Sequence, residues 1–289
     1  MNTTGSRIGN YSSEDARNYE ASAHPRQPVG IDDMLKFLTD GGQKPLENQV
    51  VADLPCGSGL YVPFLAAQKL ILADYSEGML GEAKQVVPNP EDRELVCFQA
   101  DLTGTLPIES QSVDSVLCNQ FIHHVTTPEH GPDRWKGLGK VFDSFHRILK
   151  PGGRLTISFC TREQVAHSYW THSIFADDAI AEELTYYPNC EELSGLLVQA
   201  GFQASDIGFD VIRQDLQADI WTIDPMDPSV QSGDSGFRFA LKTSERRAEM
   251  QRKWQALQAD PTALQSCKAA ARDFVADKGS STLCLAKKA

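Results

Sequence analysis

From residue 48 onward, short runs of β-forming residues alternate with amphipathic helical stretches. Helices are predicted to begin near Leu60, Ser76, Asp133 and Arg162. This alternation is typical of a parallel sheet that is covered by helices on both faces. The first five predicted strands cover residues 48–54, 69–74, 94–100, 112–119 and 153–160.

The pattern loosens after residue 160 but still predicts two further strands, 206–214 and 281–288. We therefore expect an α/β fold with a seven-stranded, mostly parallel sheet. Residues 1–45 contain helical candidates and no strand, so they are predicted to form either a linker or a helical lid over the sheet. The remaining residues, 46–289, form the main domain, with helical insertions at about 161–190 and 215–278. Insertions of this length usually have a task of their own.

The charge of the chain limits its partners. It carries 39 acidic and 27 basic residues, a formal net charge of -12, which disfavours nucleic acid and anionic membranes as partners. No apolar run reaches the ~20 residues of a membrane helix, and the polar start is unlike a signal peptide, so a cytoplasmic location is expected. The seven cysteines are scattered singly, which predicts free thiols and no metal site.

The stretch VADLPCGSGLY at 51–61 places two glycines behind the first predicted strand. A phosphate-binding P-loop requires a lysine directly after its last glycine, and the next lysine after Gly59 is Lys69. A dinucleotide-binding turn requires a third glycine where Val62 stands, so that interpretation is only weakly supported.

A third ligand fits better. The chain from Val50 to about Phe202 resembles a class I S-adenosylmethionine-dependent methyltransferase. The first motif of that family is an acidic residue followed by G-x-G-x-G. The matching positions here are Asp53, Pro55, Gly57 and Gly59. Pro55 departs from the motif and has no N–H to offer a ligand.

The resemblance implies further cofactor contacts at strand ends. Asp74 would accept hydrogen bonds from the ribose hydroxyls, and Tyr75 would pack on the adenine. Asp101 would bind the adenine amino group, and the Leu102 amide would contact a ring nitrogen. The LKPGGRL turn at 149–155 is another recurrent feature of the family.

The segment CNQFIHHVTTPEH follows the fourth predicted strand. By the same resemblance, Asn119 and Gln120 would line the methyl donor and the acceptor. His123 or His124 is the candidate general base, and the alternative is that both only bind backbone near a helix start. A metal site on this pair is disfavoured because adjacent residues do not converge on one ion.

The acceptor site is expected to be formed by aromatic residues of the lid and the insertions, together with one lid arginine. Each of them also fits an ordinary surface or core position. The candidates are Tyr11, Tyr19 and Arg26 in the lid, and Tyr169, Trp170 and Trp221 in the insertions.

The expected function is transfer of a methyl group from S-adenosylmethionine to a small molecule by in-line displacement, in a monomer or homodimer. The N/D-P-P-Y/F tetrapeptide of exocyclic amine methyltransferases is absent, since CNQF stands in its place. Two alternatives stay open: a different reaction that uses the same cofactor, or a non-catalytic partner protein that retains the fold. The accepting atom is not determined by the sequence.

Overall fold

The computed structural model of this chain describes residues 28–126, 132–214, 221–233 and 235–289. Within these ranges, seven strands form one sheet in the order β3-β2-β1-β4-β5-β7-β6. All neighbouring pairs are parallel except that β7 runs antiparallel to β5 and β6. The predicted fold is therefore confirmed. The strands are β1 (Val50–Asp53), β2 (Lys69–Asp74), β3 (Glu94–Gln99), β4 (Val113–Asn119), β5 (Leu149–Phe159), β6 (Ile207–Ile212) and β7 (Ser281–Lys287).

Helices cover both faces of the sheet. Leu138 and Phe142 of α3 pack on one face, and Met34 and Leu38 of α1 pack on the other, here called the α1 face. The described helices are α1 (Ile31–Leu38), α2 (Glu77–Gln85), α3 (Lys136–Ile148), α4 (Arg162–Ser168), α5 (Asp177–Leu184), α6 (Cys190–Gln199), α7 (Pro228–Gly233), α8 (Ser235–Ala240), α9 (Ser244–Ala259) and α10 (Pro261–Lys278). No helix in the described ranges is long and apolar enough to cross a membrane.

The helix predicted near Leu60 is wrong. The chain there makes only a 3-10 turn over Val62–Phe64 before β2 begins at Lys69. Pro63 lies within this turn and has no N–H for a helical hydrogen bond, and Leu65 leaves helical geometry with a ψ of 77°. The other three predicted helix starts lie close to the observed α2, α3 and α4.

The α1 helix runs along the strand direction, from the side of the sheet where β1 ends to the side where β5 begins. At its start, the Tyr61 hydroxyl donates to the Val29 carbonyl at 3.2 Å, and the Gly30 amide donates to Oε1 of Gln214 at 3.3 Å. Beyond its end, Asp40 forms an ion pair of 2.7 Å with Arg154. The α1 helix therefore begins at the side of the sheet where β1 and β4 end. The lid residues Tyr11, Tyr19 and Arg26 lie outside the described ranges.

Residues of the two predicted insertions share a hydrophobic cluster. Trp170 and Phe175 from the first insertion pack with Phe237, Met250 and Ala271 from the second. The second insertion also contains the helices α9 and α10, which precede the antiparallel strand β7 in the chain. The division into a lid and a main domain stays a prediction.

Candidate active site

The carboxyl end of β1 lies where the chain order of the sheet reverses. The Leu54 amide donates to the Leu117 carbonyl on β4 at 2.9 Å, and the Cys56 amide donates to the Ala73 carbonyl on β2 at 3.0 Å. The turn after β1 therefore sits between its two neighbouring strands. In open α/β sheets this is the position of the ligand crevice.

The two glycines of the turn have different surroundings. Gly57 has a φ of +52°, and an added Cβ would meet nothing within 4 Å. Gly59 has a φ of +91°, and an added Cβ would lie 2.7 Å from Cγ2 of Val86 and 2.8 Å from Cα of Ala83. Gly57 thus leaves the crevice open to a ligand, whereas Gly59 allows α2 and the residue after it to pack against the turn.

Asp74 lies at the end of β2 and joins the glycine turn to α2. Its Oδ2 accepts from the Gly57 amide at 2.9 Å, and its Oδ1 accepts from the Ser76 amide at 2.8 Å. Burial raises the pKa of the Asp74 carboxyl, while the amides of Ser76 and Gly57 partly oppose this by stabilising the charge. A carboxylate has about four acceptor positions, so Asp74 can accept ligand hydroxyls as well.

Asp53 is the second carboxyl group at this point. Its side chain is only 1% exposed, and Oδ1 has no hydrogen-bond partner among the described residues. Burial, and then the charge of Asp74, raises the pKa of Asp53 well above its usual range. The buried Asp53 carboxyl therefore favours its neutral form.

The predicted adenine contacts lie around the ends of β2 and β3. Tyr75 is 39% exposed, and its carbonyl accepts from Nε2 of Gln99 at 2.7 Å. The exposed Asp101 accepts from the amide and the hydroxyl of Thr103 through Oδ1, at 2.9 and 2.8 Å, while Leu102 is buried. An exposed aromatic ring beside a carboxylate is compatible with an adenine, and the contacts stay predictions.

Asn119 ends β4 with both side-chain polar atoms buried. Neither Oδ1 nor Nδ2 has a hydrogen-bond partner among the described residues. An unsatisfied buried polar group costs about 1–3 kcal/mol, which a ligand group can offset. Gln120 follows with a φ of +47°, and its Nε2 donates to Oγ of Ser158 at 3.1 Å. Both residues therefore lie at the crevice, as the resemblance implies for the methyl donor and acceptor.

His123 and His124 lie in a 3-10 turn, Ile122–His124, directly after β4. The His123 ring is buried and lies 4.2 Å from the His124 ring and 4.9 Å from the ring of Tyr187, measured between centroids. The Tyr187 ring is tilted by only 22° against His123, so the two rings stack. His123 is thus held on both sides, which is suitable for a base that must keep one orientation.

The predicted acceptor residues of the insertions have neighbours within the insertions. Trp170 is 2% exposed, and its ring lies 5.9 Å from that of Trp254. Trp221 and Tyr169 are half-buried, and Arg272 lies 4.8 Å above the Trp221 ring. The side chain of Trp170 therefore contributes to the insertion core, and the substrate contacts proposed for these residues stay predictions.

Several polar residues near the crevice are not part of the family motifs used in the sequence analysis. Thr156 and Ser158 alternate with Leu155, Ile157 and Phe159 along β5, so both hydroxyls point to the α1 face. The strict alternation LTISF carries this information in the sequence. Motifs of the family do not include it.

Comparisons with known proteins identify the family. The sequence profile of a methyltransferase domain matches residues 52–157. A demethylmenaquinone methyltransferase of Clavibacter sepedonicus is 30% identical over 193 residues, which cover 60% of this chain and 74% of that protein. An uncharacterized methyltransferase-like protein of Schizosaccharomyces pombe is 30% identical over 154 residues, 52% of this chain, and the match spans about half of its length, 51%.

A solved structure shows the same fold. Phosphoethanolamine N-methyltransferase 2 of Haemonchus contortus, in complex with S-adenosyl-L-methionine, superimposes with a TM-score of 0.53 at 20% identity. The match covers 96% of this chain and 58% of that chain.

Sheet order, crevice and sequence similarity together define a class I methyltransferase. The chain belongs to the S-adenosylmethionine-dependent methyltransferase family, and its cofactor is S-adenosylmethionine. The residues present fit this cofactor, since Gly57 leaves open space beside a braced carboxylate and Asn119 offers an unpaired amide.

Proposed function

We propose that this protein transfers a methyl group from S-adenosylmethionine to a small-molecule acceptor. The observation that carries the proposal is the Asp74 carboxylate, which is fixed by the Gly57 and Ser76 amides beside the open space above Gly57. A carboxylate held at this point is suited to a pair of ribose hydroxyls. Asp101 and Tyr75 extend the same site toward an adenine.

The bound sulfonium supplies an already activated methyl group, so the protein has mainly to position the acceptor. Alignment of two reacting groups can contribute about 7–11 kcal/mol. Asn119 and Gln120 are the residues proposed for this alignment, because the Asn119 amide has no partner within the described ranges and the Gln120 side chain is anchored on Ser158. The Asp74 carboxylate, which accepts from two backbone amides, provides the negative charge beside the positively charged donor.

His123 is the proposed proton acceptor for a hydroxyl or ammonium substrate. Its ring is fixed between His124 and Tyr187, directly after the strand that carries Asn119. A positioned base typically contributes about 10²–10⁴-fold to rate. An acceptor that is already a nucleophile would not need it.

Two further observations support a small acceptor. The relative from Clavibacter sepedonicus is a demethylmenaquinone methyltransferase, so its acceptor is a small molecule. The net charge of -12 disfavours nucleic acid as the acceptor.

We also propose that residues 1–45 form a lid, because α1 starts at the side of the sheet where the crevice lies.

The test is transfer of label from methyl-labelled S-adenosylmethionine into a cell extract that is afterwards separated by size. We expect label in the small-molecule fraction and release of S-adenosylhomocysteine, both strongly reduced for Asp74→Ala. Label confined to protein or nucleic acid would contradict the proposed acceptor class. Consumption of the cofactor without S-adenosylhomocysteine would contradict methyl transfer itself.

A further inference from the structure

A row of buried polar side chains lies on the α1 face of the sheet, and the described part of the chain leaves some of their polar atoms without a hydrogen-bond partner. We call the set of Asp53, Asn119, Thr156 and Ser281 the polar row. Each of the four has a buried side-chain oxygen or nitrogen without a hydrogen-bond partner among the described residues. Thr156 and Ser281 are 0% exposed.

The strand register places these residues on one face. Asp53 and Thr156 are both paired with Leu117 of β4, from its two sides. Asn119 lies two residues further along β4 and is paired with Ser158. Because side chains two residues apart on a strand share a face, these residues all point to the α1 face.

Ser281 continues the row on β7. Ser158 is paired with Leu283, and Ser281 lies two residues from Leu283 toward the edge where the crevice opens. Leu283 packs with Met34 of α1, which identifies the face. The polar row therefore extends from the cofactor crevice at β1 and β4 across β5 to β7.

Neighbouring hydroxyl groups do have hydrogen-bond partners in this region. Thr282, the next residue on β7, points to the opposite face, and its hydroxyl bonds to Oε1 of Gln164 at 3.0 Å. The Ser158 hydroxyl accepts from Gln120 at 3.1 Å. Buried hydroxyls in proteins are normally paired, so a set of unpaired ones at a ligand crevice points to a ligand.

The charges nearby restrict the chemistry of that ligand. The polar row has no basic member, and burial raises the pKa of its one carboxyl, Asp53, well above the usual range, which favours the neutral form. The basic residues of the same strands lie at the opposite edge of the sheet, at Lys69, Arg154 and Lys287. Hydroxyls and a neutral amide can pair with a hydroxyl or carbonyl group, whereas an anion buried in the row would have no counter-charge there.

We propose that Asn119, Thr156 and Ser281 form a subsite for an uncharged hydroxyl or carbonyl group of the methyl acceptor. This inference rests on the proposed methyl transfer and deepens it, because it names the class of acceptor. Asn119 is half-buried at the crevice and forms the entrance, and the two hydroxyls lie deeper along the row. Anionic acceptors such as phosphates and carboxylates are excluded from the subsite.

The test uses two ring compounds of similar size, phenol and benzoate. Each is titrated against the protein saturated with S-adenosylhomocysteine, and binding is measured by ligand-observed NMR. Phenol is expected to bind, and benzoate at least about 10-fold more weakly. Thr156→Val and Ser281→Ala should each weaken phenol binding by about 5-fold or more and change the affinity for S-adenosylhomocysteine by less than about 2-fold.

Thr282→Val is the matched control, because it removes a paired hydroxyl from the same strand. Without ligand, Thr156→Val and Ser281→Ala should raise the melting temperature by about 2–4 °C, since they remove unpaired groups, whereas Thr282→Val should lower it. Two variants at separate positions keep the test valid if one of them does not fold.

The outcomes distinguish a failure of the proposed subsite from a failure of the proposed methyl transfer. If the cofactor product binds but phenol does not, or phenol binds the variants as it binds the wild type, the subsite is wrong and methyl transfer stands. Benzoate binding as tightly as phenol would also overturn the subsite. If S-adenosylhomocysteine itself does not bind, the proposed function fails.

Discussion

Alanine substitutions at the two glycines of the turn after β1 are expected to have separate effects, one on protein stability and the other on ligand binding. In Gly59→Ala, the new Cβ would lie 2.7 Å from Val86 and 2.8 Å from the backbone of Ala83, at a φ of +91°. A left-handed alanine costs about 1–2 kcal/mol, and overpacking adds about 1–3 kcal/mol. We therefore expect Gly59→Ala to lower the free energy of unfolding by roughly 2–5 kcal/mol.

Gly57→Ala should show the opposite balance. Its φ of +52° adds about 1–2 kcal/mol of strain, and no atom of the described residues lies within 4 Å of the new Cβ. The methyl group would project into the open space above the turn, so the affinity for S-adenosylhomocysteine should fall at least about 10-fold, or 1.4 kcal/mol. Folded Gly59→Ala should keep its affinity within about 3-fold.

Urea unfolding and titration calorimetry measure these two quantities on the same preparations. The reasoning is refuted if Gly57→Ala binds the cofactor product as tightly as the wild type. It is also refuted if Gly59→Ala is as stable as the wild type, because the packing of α2 on the turn would then be wrong.

Three further predictions follow from buried or tightly packed groups. Burial lowers the pKa of His172 to about 4, against 6.5 when unfolded, and outweighs the Glu183 carboxylate 3.7 Å from its Nε2, so the contribution of neutral His172 to stability is complete above pH 6.5 and is lost as the pH falls toward 4. Urea unfolding at pH 7 and pH 5 should therefore show a loss of about 2 kcal/mol that is absent in His172→Phe, and an equal loss in both proteins would contradict this. Gly137→Ala places a Cβ 2.2 Å from the Val125 carbonyl and should destabilise the protein by about 1–3 kcal/mol, whereas Gly139→Ala on the same helix, with nothing within 4 Å, should stabilise it by about 0.5–1 kcal/mol. His123→Asn should lower the turnover of a hydroxyl acceptor by about 100-fold or more at unchanged affinity for S-adenosylhomocysteine, and undiminished turnover would remove His123 as the base.

The sheet could be predicted from the sequence because its strands are short apolar runs separated by clear helical patterns. The limits of β2 agree with the prediction at both ends, and Ser76 caps α2 through a hydrogen bond from the Met79 amide, as its residue type suggests. The antiparallel direction of β7 could not be predicted, because alternation reports which face is buried and not the direction of the strand.

The missing helix near Leu60 shows where local patterns fail. Apolar residues recur after Leu60, but Pro63 interrupts the hydrogen bonds that a helix would need. The roles of the two glycines were also out of reach, because only the packing of Ala83 and Val86 against Gly59 distinguishes it from Gly57. For the same reason the unpaired state of Thr156 and Ser281 becomes visible only in three dimensions.

The most direct test of the account is the binding of S-adenosylhomocysteine to the wild type and to Asp74→Ala, measured by calorimetry beside a nicotinamide dinucleotide. We expect binding well below 1 mM, corresponding to more than about 4 kcal/mol, and a loss of about 1–3 kcal/mol in the variant, since charged hydrogen bonds to the ribose disappear. Equal affinity of both proteins, or preference for the dinucleotide, would contradict the assignment of the crevice.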